Sequence, residues 1–202
     1  MSVEVGNLTV FLEDLQKKHR SAFHALWSDR WCARQSGRQA SGSEEQSKRV
    51  FRTLTADAKP ENFWVDQKAI MVRVTDATAT VPAECVGIIY TDSPSTSGLT
   101  IKFEIMSHWN GYGIASHAVP LFLHSYWQFV RSAPFRKVFV RNPRLASSQV
   151  GPGRNTAVRL SSLSATFQRG NNRAKRVLDK VGNAFFSHTG PSTETYIITA
   201  PF

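Results

Sequence analysis

Two glycines one residue apart, Gly111 and Gly113, stand in the segment Asn110-Gly111-Tyr112-Gly113-Ile114-Ala115, just before a run with helical apolar spacing. Glycine lets a backbone approach a ligand closely. Where a helix opens behind such a loop, its first amides have no internal partners and point outward. With the helix dipole they form a cradle for a pyrophosphate. A dinucleotide fingerprint needs a third glycine and an acid about 20 residues further on. This loop has no third glycine, and no acid follows until Asp179. A Walker loop needs Gly-Lys-Ser/Thr, which is absent. The loop therefore predicts phosphate binding of another kind. Three side chains beside it or after it are candidates for proton transfer. Glu104 is the last acid before the loop, His108 adjoins it, and Tyr196 is a candidate acid on a late strand. His117 and Tyr126 are weaker candidates for the same roles, more simply read as a helix-surface residue and a packed aromatic.

The charge distribution suits an anionic ligand. The formal net charge is +10, and the 74 residues between Glu104 and Asp179 hold eleven Lys or Arg and no acid. Such a field attracts phosphates, although a merely well-solvated basic surface gives the same count. Cys32 and Cys85 are too few for a disulfide scaffold, and nothing near them has metal-ligand spacing. They are read as reduced thiols, and no metal is expected. The N-terminal stretch is interrupted by acids and lacks the apolar core of a signal peptide. No apolar run approaches the length of a membrane span. The expectation is a soluble cytoplasmic protein, without a membrane partner, as a monomer or homodimer.

The elements that must position these residues follow from periodicity. Leu12, Leu15, Ala22, Phe23, Leu26 and Trp27 predict a helix within 9–31. Ser43 and Gln46 have capping-box spacing, so a second helix runs to Leu54. Strands are expected over 63–74, 85–91 and 99–106, the first two antiparallel. A helix follows over 111–130, kinked or delayed by Pro120. Residues 132–158 are rich in Pro, Gly, Arg and Ser and read as a basic insertion. A strand at 160–167, a helix at 171–181 capped by Asn171 and Gly182, and strands at 185–186 and 195–199 complete the chain. With 41% apolar residues the 202-residue chain is read as one α+β (mixed α/β) domain, 1–202.

With these elements in place, the chain resembles the GNAT superfamily of acyl-CoA-dependent N-acetyltransferases, most closely the ribosomal-protein alanine acetyltransferase branch. Residues 110–115 match the family's Gln/Arg-x-x-Gly-x-Gly/Ala signature at Gly113 and Ala115, with Asn110 in place of Gln or Arg. Asn171-Asn172-Arg173-Ala174 and Val177-Leu178-Asp179-Lys180-Val181-Gly182 match its Asn-x-x-Ser and Val-Leu-x-Lys-x-Gly runs, with Ala174 in place of Ser. Val86-Gly87-Ile88-Ile89 resembles its third strand. The resemblance spans roughly 8–198. It implies a GNAT fold, a mostly antiparallel twisted sheet of six to seven strands flanked by helices. It implies acetyl-CoA as co-substrate and an amine acceptor. The amides of Tyr112, Gly113, Ile114, Ala115 and Ser116 would hold the pyrophosphate, with Asn110 and Gly111 also in the cofactor site. Pantetheine would lie on the backbone of Ile105, Met106 and Ser107, with Asn171 touching the cofactor. Trp31 or Trp64 would wall the acceptor pocket. Two alternatives stand beside an active acetyltransferase: a GNAT-fold protein that binds acyl-CoA with another reaction or none, and a basic nucleic-acid-binding protein whose Trp127, Phe129, Phe135, Phe139 and Phe167 stack bases.

Overall fold

Gly6 and Asn7 punctuate the first sixteen residues. Gly6 adopts φ 62°, at the start of a two-residue loop joining β1 (Ser2–Val5) to β2 (Leu8–Asp14). The helix expected from residue 9 is thus a strand as far as Asp14. Leu8, Val10 and Leu12 alternate inward, a period of two that overlaps the helical period over so short a run. Helix begins later, as α1 (Arg20–Ser28), and restarts as α2 (Arg30–Ser36) behind the N-cap Asp29. A computed structural model of the chain describes residues 1–57, 66–75, 82–91, 99–132, 137–141, 155–159 and 162–201.

The remaining elements are α3 (Glu44–Asp57), β3 (Gln67–Val74), β4 (Glu84–Thr91), β5 (Leu99–Ile105), α4 (Ile114–Ser132), β6 (Lys137–Arg141), β7 (Asn155–Arg159), β8 (Ser162–Gln168), α5 (Asn172–Asp179), β9 (Ala184–Thr189) and β10 (Thr193–Thr199). Eight strands form one sheet in the order β1-β2-β3-β4-β5-β8-β10-β9. That is one more than the upper expectation of seven. Every neighbouring pair is antiparallel except β5 and β8. This is the mixed α/β, mostly antiparallel fold the sequence predicts. Within the expected insertion, β6 and β7 pair with each other as a separate two-stranded sheet. Residues 142–154 and the 63–65 start expected for the first central strand lie outside the described residues.

β4 shows how the layers arise. Its residues from 86 to 91 are buried without alternation, the pattern of a strand covered on both faces. Ile89 joins the core built on α4, while Ile88 and Tyr90 join the core under α1 and α3. On the first face α4 contributes Ile114, Ala118, Phe122, Tyr126 and Val130, and α5 contributes Ala174, Val177 and Leu178. On the second, Phe23 stacks on Trp27 and meets Phe51 edge-on. Each fully buried large side chain contributes about 1.5–3 kcal/mol. α4 is not delayed by proline: it starts right after Gly113 and continues through Pro120, which lies on its exposed side. Among the described residues no helix is long and apolar enough to cross a membrane.

Candidate functional site

The single parallel contact in the sheet makes the site. β5 and β8 are paired only at Leu99 with Leu163 and Thr100 with Ser164. The Thr100 and Ser164 hydroxyls, 3.0 Å apart, pin this apex. Beyond it the strands part. Residues 101–105 of β5 and 165–167 of β8 line facing walls of a cavity of about 130 Å³. Trp31, Cys32, Gln35 and Ser36 of α2 close one side, and Asn171, Arg173, Ala174 and Val177 close another. Where two strands separate, their ladder bonds stop, and backbone groups facing the gap need other partners. The Ile105 carbonyl has found one: the Cys32 thiol donates to it at 3.0 Å. Burial, aided by the Asp29 and Glu104 carboxylates, pushes that thiol up to about 12, so it stays protonated at neutral pH.

The wedge opens at the end of β5 onto the glycine loop. Gly111 and Gly113 adopt φ 95° and 76°, the left-handed region that other residues enter at a cost. Helix α4 then starts with its amides facing a second cavity of about 470 Å³. Asn110, Gly111, Gly113, Ile114, Ala115 and Ser116 line it from the loop. Arg173, Arg176 and Lys180 line it from α5. Ile105, Asn110 and Ala115 border both cavities, so the two adjoin at the loop. An elongated ligand with an anionic end fits this pair of spaces.

Not every predicted binding residue lines them. Tyr112 is 55% exposed and meets Trp109 edge-on at 5.6 Å. Met106 is buried in the core under α1 and α3. The Ser107 amide donates to Asp29 at 3.1 Å. The Asn110 amide group turns back to the carbonyls of Ser107 and Met106, at 2.9 and 3.3 Å. It thus closes the short 3₁₀ turn Ser107–Trp109 instead of reaching outward. Asn171 caps α5 by accepting from the Ala174 amide and also donates to the Gln35 carbonyl of α2 at 3.3 Å.

Three ties bind the α1–α2 segment to the end of β5. Cys32 holds the Ile105 carbonyl, Asp29 holds the Ser107 amide, and Arg38 holds Glu104. Burial raises the Asp29 carboxyl, but hydrogen bonds from Ser107, Cys32 and Trp31 outweigh it and bring it down to about 2. The unfolded carboxyl titrates near 3.9, so this contribution is present above that pH and is lost as pH falls through about 2. Asp29→Ala is expected to cost about 1 kcal/mol at neutral pH, the usual worth of a cap. Urea-unfolding midpoints of variant and parent, measured at pH 6 and pH 2, should converge at the lower pH.

The predicted proton-transfer residues are not brought together. Glu104 is buried beside the wedge, but both its oxygens accept from Arg38, at 3.1 and 3.2 Å from Nε and 2.7 Å from Nη2. His108 is exposed and lies 3.9 Å from Glu84. Tyr196 is buried against Phe167 and Phe186, and its hydroxyl donates to Asp179 at 3.0 Å. His117 donates to the Gly113 carbonyl at 2.9 Å. Tyr126 is fully buried in the core, where burial raises its phenol. Trp31 does wall the wedge, with the Arg173 guanidinium 4.8 Å over its ring, whereas Trp64 lies outside the described residues. Sequence reasoning passed over Arg38, which pairs with an acid 66 residues away. Arg173 and Arg176 entered it in a charge count and Arg173 and Lys180 within motif matches, without a binding role, although their spacing puts them on one face. Among the described residues no cluster of His, Cys, Asp and Glu is placed to hold a metal.

A splayed mixed sheet, with a glycine loop at the gap opening a long helix, defines the GNAT acetyltransferase fold, and the chain has that fold. The particular solved structures it is similar to include three acetyltransferases or proteins solved with a form of CoA. A GNAT-family acetyltransferase from Bacillus anthracis is 14% identical, with a TM-score of 0.60 over 99% of both chains. Spermidine N-acetyltransferase from Vibrio cholerae, solved with CoA and spermine, is 9% identical, with a TM-score of 0.64 over 95% of both. Mycobacterium smegmatis RimJ, solved with CoA-disulfide, is 15% identical, with a TM-score of 0.62 over 99% of this chain and 86% of that one. No protein-family model and no curated protein sequence matches the chain.

Proposed function

We propose that the chain is a divergent GNAT-family protein that binds acetyl-CoA and transfers its acetyl group to an amine. The observation that carries this reading is that the β5–β8 wedge adjoins the glycine loop at the start of α4. In this reading the amides opening α4 take the pyrophosphate. The pantetheine arm enters the wedge, and the thioester meets the acceptor beside Trp31 and Gln35 of α2. The β5 wall of the wedge is tied to the α1–α2 segment by the bonds of Asp29, Cys32 and Arg38. Such a site favours transfer by holding amine and thioester in attack geometry. The Vibrio cholerae enzyme is a spermidine N-acetyltransferase solved with spermine, and RimL, a ribosomal L7/L12 alpha-N-protein acetyltransferase, is also similar in structure; for this chain the acceptor is an amine of a small molecule or a protein N-terminus.

A second reading has its own observation. Glu104, His108 and Tyr196 are each turned to a protein partner, and Ala174 stands where the family's serine offers a hydroxyl. That arrangement supports acyl-CoA binding without acetyl transfer. Calorimetry with acetyl-CoA, followed by mass spectrometry of an amine panel, separates the two. Binding with an acetylated product is the expected outcome. Binding with no product across the panel favours the second reading. No binding refutes both, and salt-sensitive RNA binding in its place supports a nucleic-acid-binding protein.

A further inference from the structure

The larger cavity holds more positive charge than a pyrophosphate on a helix N-terminus needs. Arg173, Arg176 and Lys180 recur at three- and four-residue intervals along α5 and all border that cavity. Arg173 faces back to the wedge, stacked over Trp31. Arg176 and Lys180 are exposed, and their side chains have no hydrogen bond or ion pair with a described residue. The acid that shares the cavity, Asp179, is already engaged by Lys175 at 2.9 and 3.1 Å and by the Tyr196 hydroxyl. Two long cations with no side-chain partner among the described residues therefore stand across a cavity of about 470 Å³ from the loop whose amides suit the pyrophosphate. The cavity is of the size that ligand pockets have.

We infer that Arg176 and Lys180 form a second anion subsite that reads the 3′-phosphate of coenzyme A and distinguishes it from the 3′-dephosphorylated cofactor. This rests on the acyl-CoA reading above and assigns roles in it that the glycine loop does not fill. The loop's amides serve the pyrophosphate, which both cofactor forms carry. The α5 pair serves the terminal phosphate, which only one carries. A guanidinium grips a phosphate through two donors, and an ammonium adds a point charge.

The test is calorimetry with coenzyme A and with dephospho-coenzyme A at one salt concentration, on the parent chain and on Arg176→Ala/Lys180→Ala. The parent is expected to bind coenzyme A about tenfold more tightly, the scale of two charge-assisted contacts at a partly exposed site. The variant should bind both cofactors alike, with the parent's affinity for the dephosphorylated one. That retained affinity also reports that the variant is folded. Equal affinities in the parent overturn the subsite and leave the acyl-CoA reading standing. A preference that survives in the variant assigns the phosphate to other residues and overturns it too. A parent that binds neither cofactor refutes both readings, and this comparison needs no variant.

Discussion

Gly113→Asp should abolish measurable binding of acetyl-CoA while the chain stays folded. The backbone at Gly113 has φ 76°, and any β-carbon there carries a left-handed penalty of about 1–2 kcal/mol, smaller for Asp than for most residues. The space itself is open: an added Cβ would sit 3.7 Å from a Val5 methyl and 3.9 Å from the His117 ring. The fold can accept the side chain, and the damage is local and electrostatic. A carboxylate in this position takes the α4 amides for itself and repels a pyrophosphate. The combined loss is expected to reach at least about 100-fold in affinity, equivalent to about 2.7 kcal/mol. Gly113→Ala carries the backbone penalty without the charge and should lose about tenfold or less. Calorimetry on both variants, with circular dichroism to confirm folding, separates the two contributions. An Asp variant with the parent's affinity would remove this loop from the binding site.

The second large effect concerns stability. Arg38→Ala is expected to cost about 3–5 kcal/mol, because it leaves the buried Glu104 carboxylate without its partner. The Arg38 and Glu104 side chains are 16% and 6% exposed. The same guanidinium donates to the Trp27 and Leu26 carbonyls, at 2.7 and 3.0 Å, and lies 4.0 Å over the Trp27 ring. It therefore ends α1 and anchors the α1–α2 segment to β5 in one group. A loss of this size is a large fraction of the 5–15 kcal/mol typical of a domain. Urea unfolding should show it as a lower midpoint with little change in slope. Adding Glu104→Gln to Arg38→Ala should recover part of the loss, since an amide is less costly to bury unpaired than a charge. A single-variant loss below about 1 kcal/mol would show that the pair does not hold the two layers together.

What the sequence makes legible follows the range of the interactions. Local signals carried over well: Gly113 before α4, the Ser43 hydroxyl oxygen accepting from the Gln46 amide, and Asn171 capping α5. The apolar run of β4 and the pairing of β3 with it were also readable. The first strand pair was not, because Leu8, Val10 and Leu12 fit a strand and a helix equally over so few residues. The turn signal that decides between them, Gly6-Asn7, lies just ahead of the run. At the site, the loop could be found because its chemistry lies in consecutive residues. The fate of Glu104 could not, because its partner is 66 positions away and joins it only once α1 and α2 have folded over β5. The same holds for Ser107, whose amide is taken by Asp29 from 78 residues upstream.

The two-residue parallel seam between β5 and β8 also sets an order of assembly. β1 to β5 are joined by neighbour-to-neighbour pairing, and all of them precede α4 in the chain. They and α4 can form while the C-terminal third is still being synthesised. Leu99 and Leu163, by contrast, meet across 64 residues, and closing a loop of that length must precede any gain from the contact. The far wall of the wedge, and the α5 cations with it, arrive only with this last closure. A nascent chain therefore acquires the first five strands of its sheet before it acquires the wedge that would take a ligand.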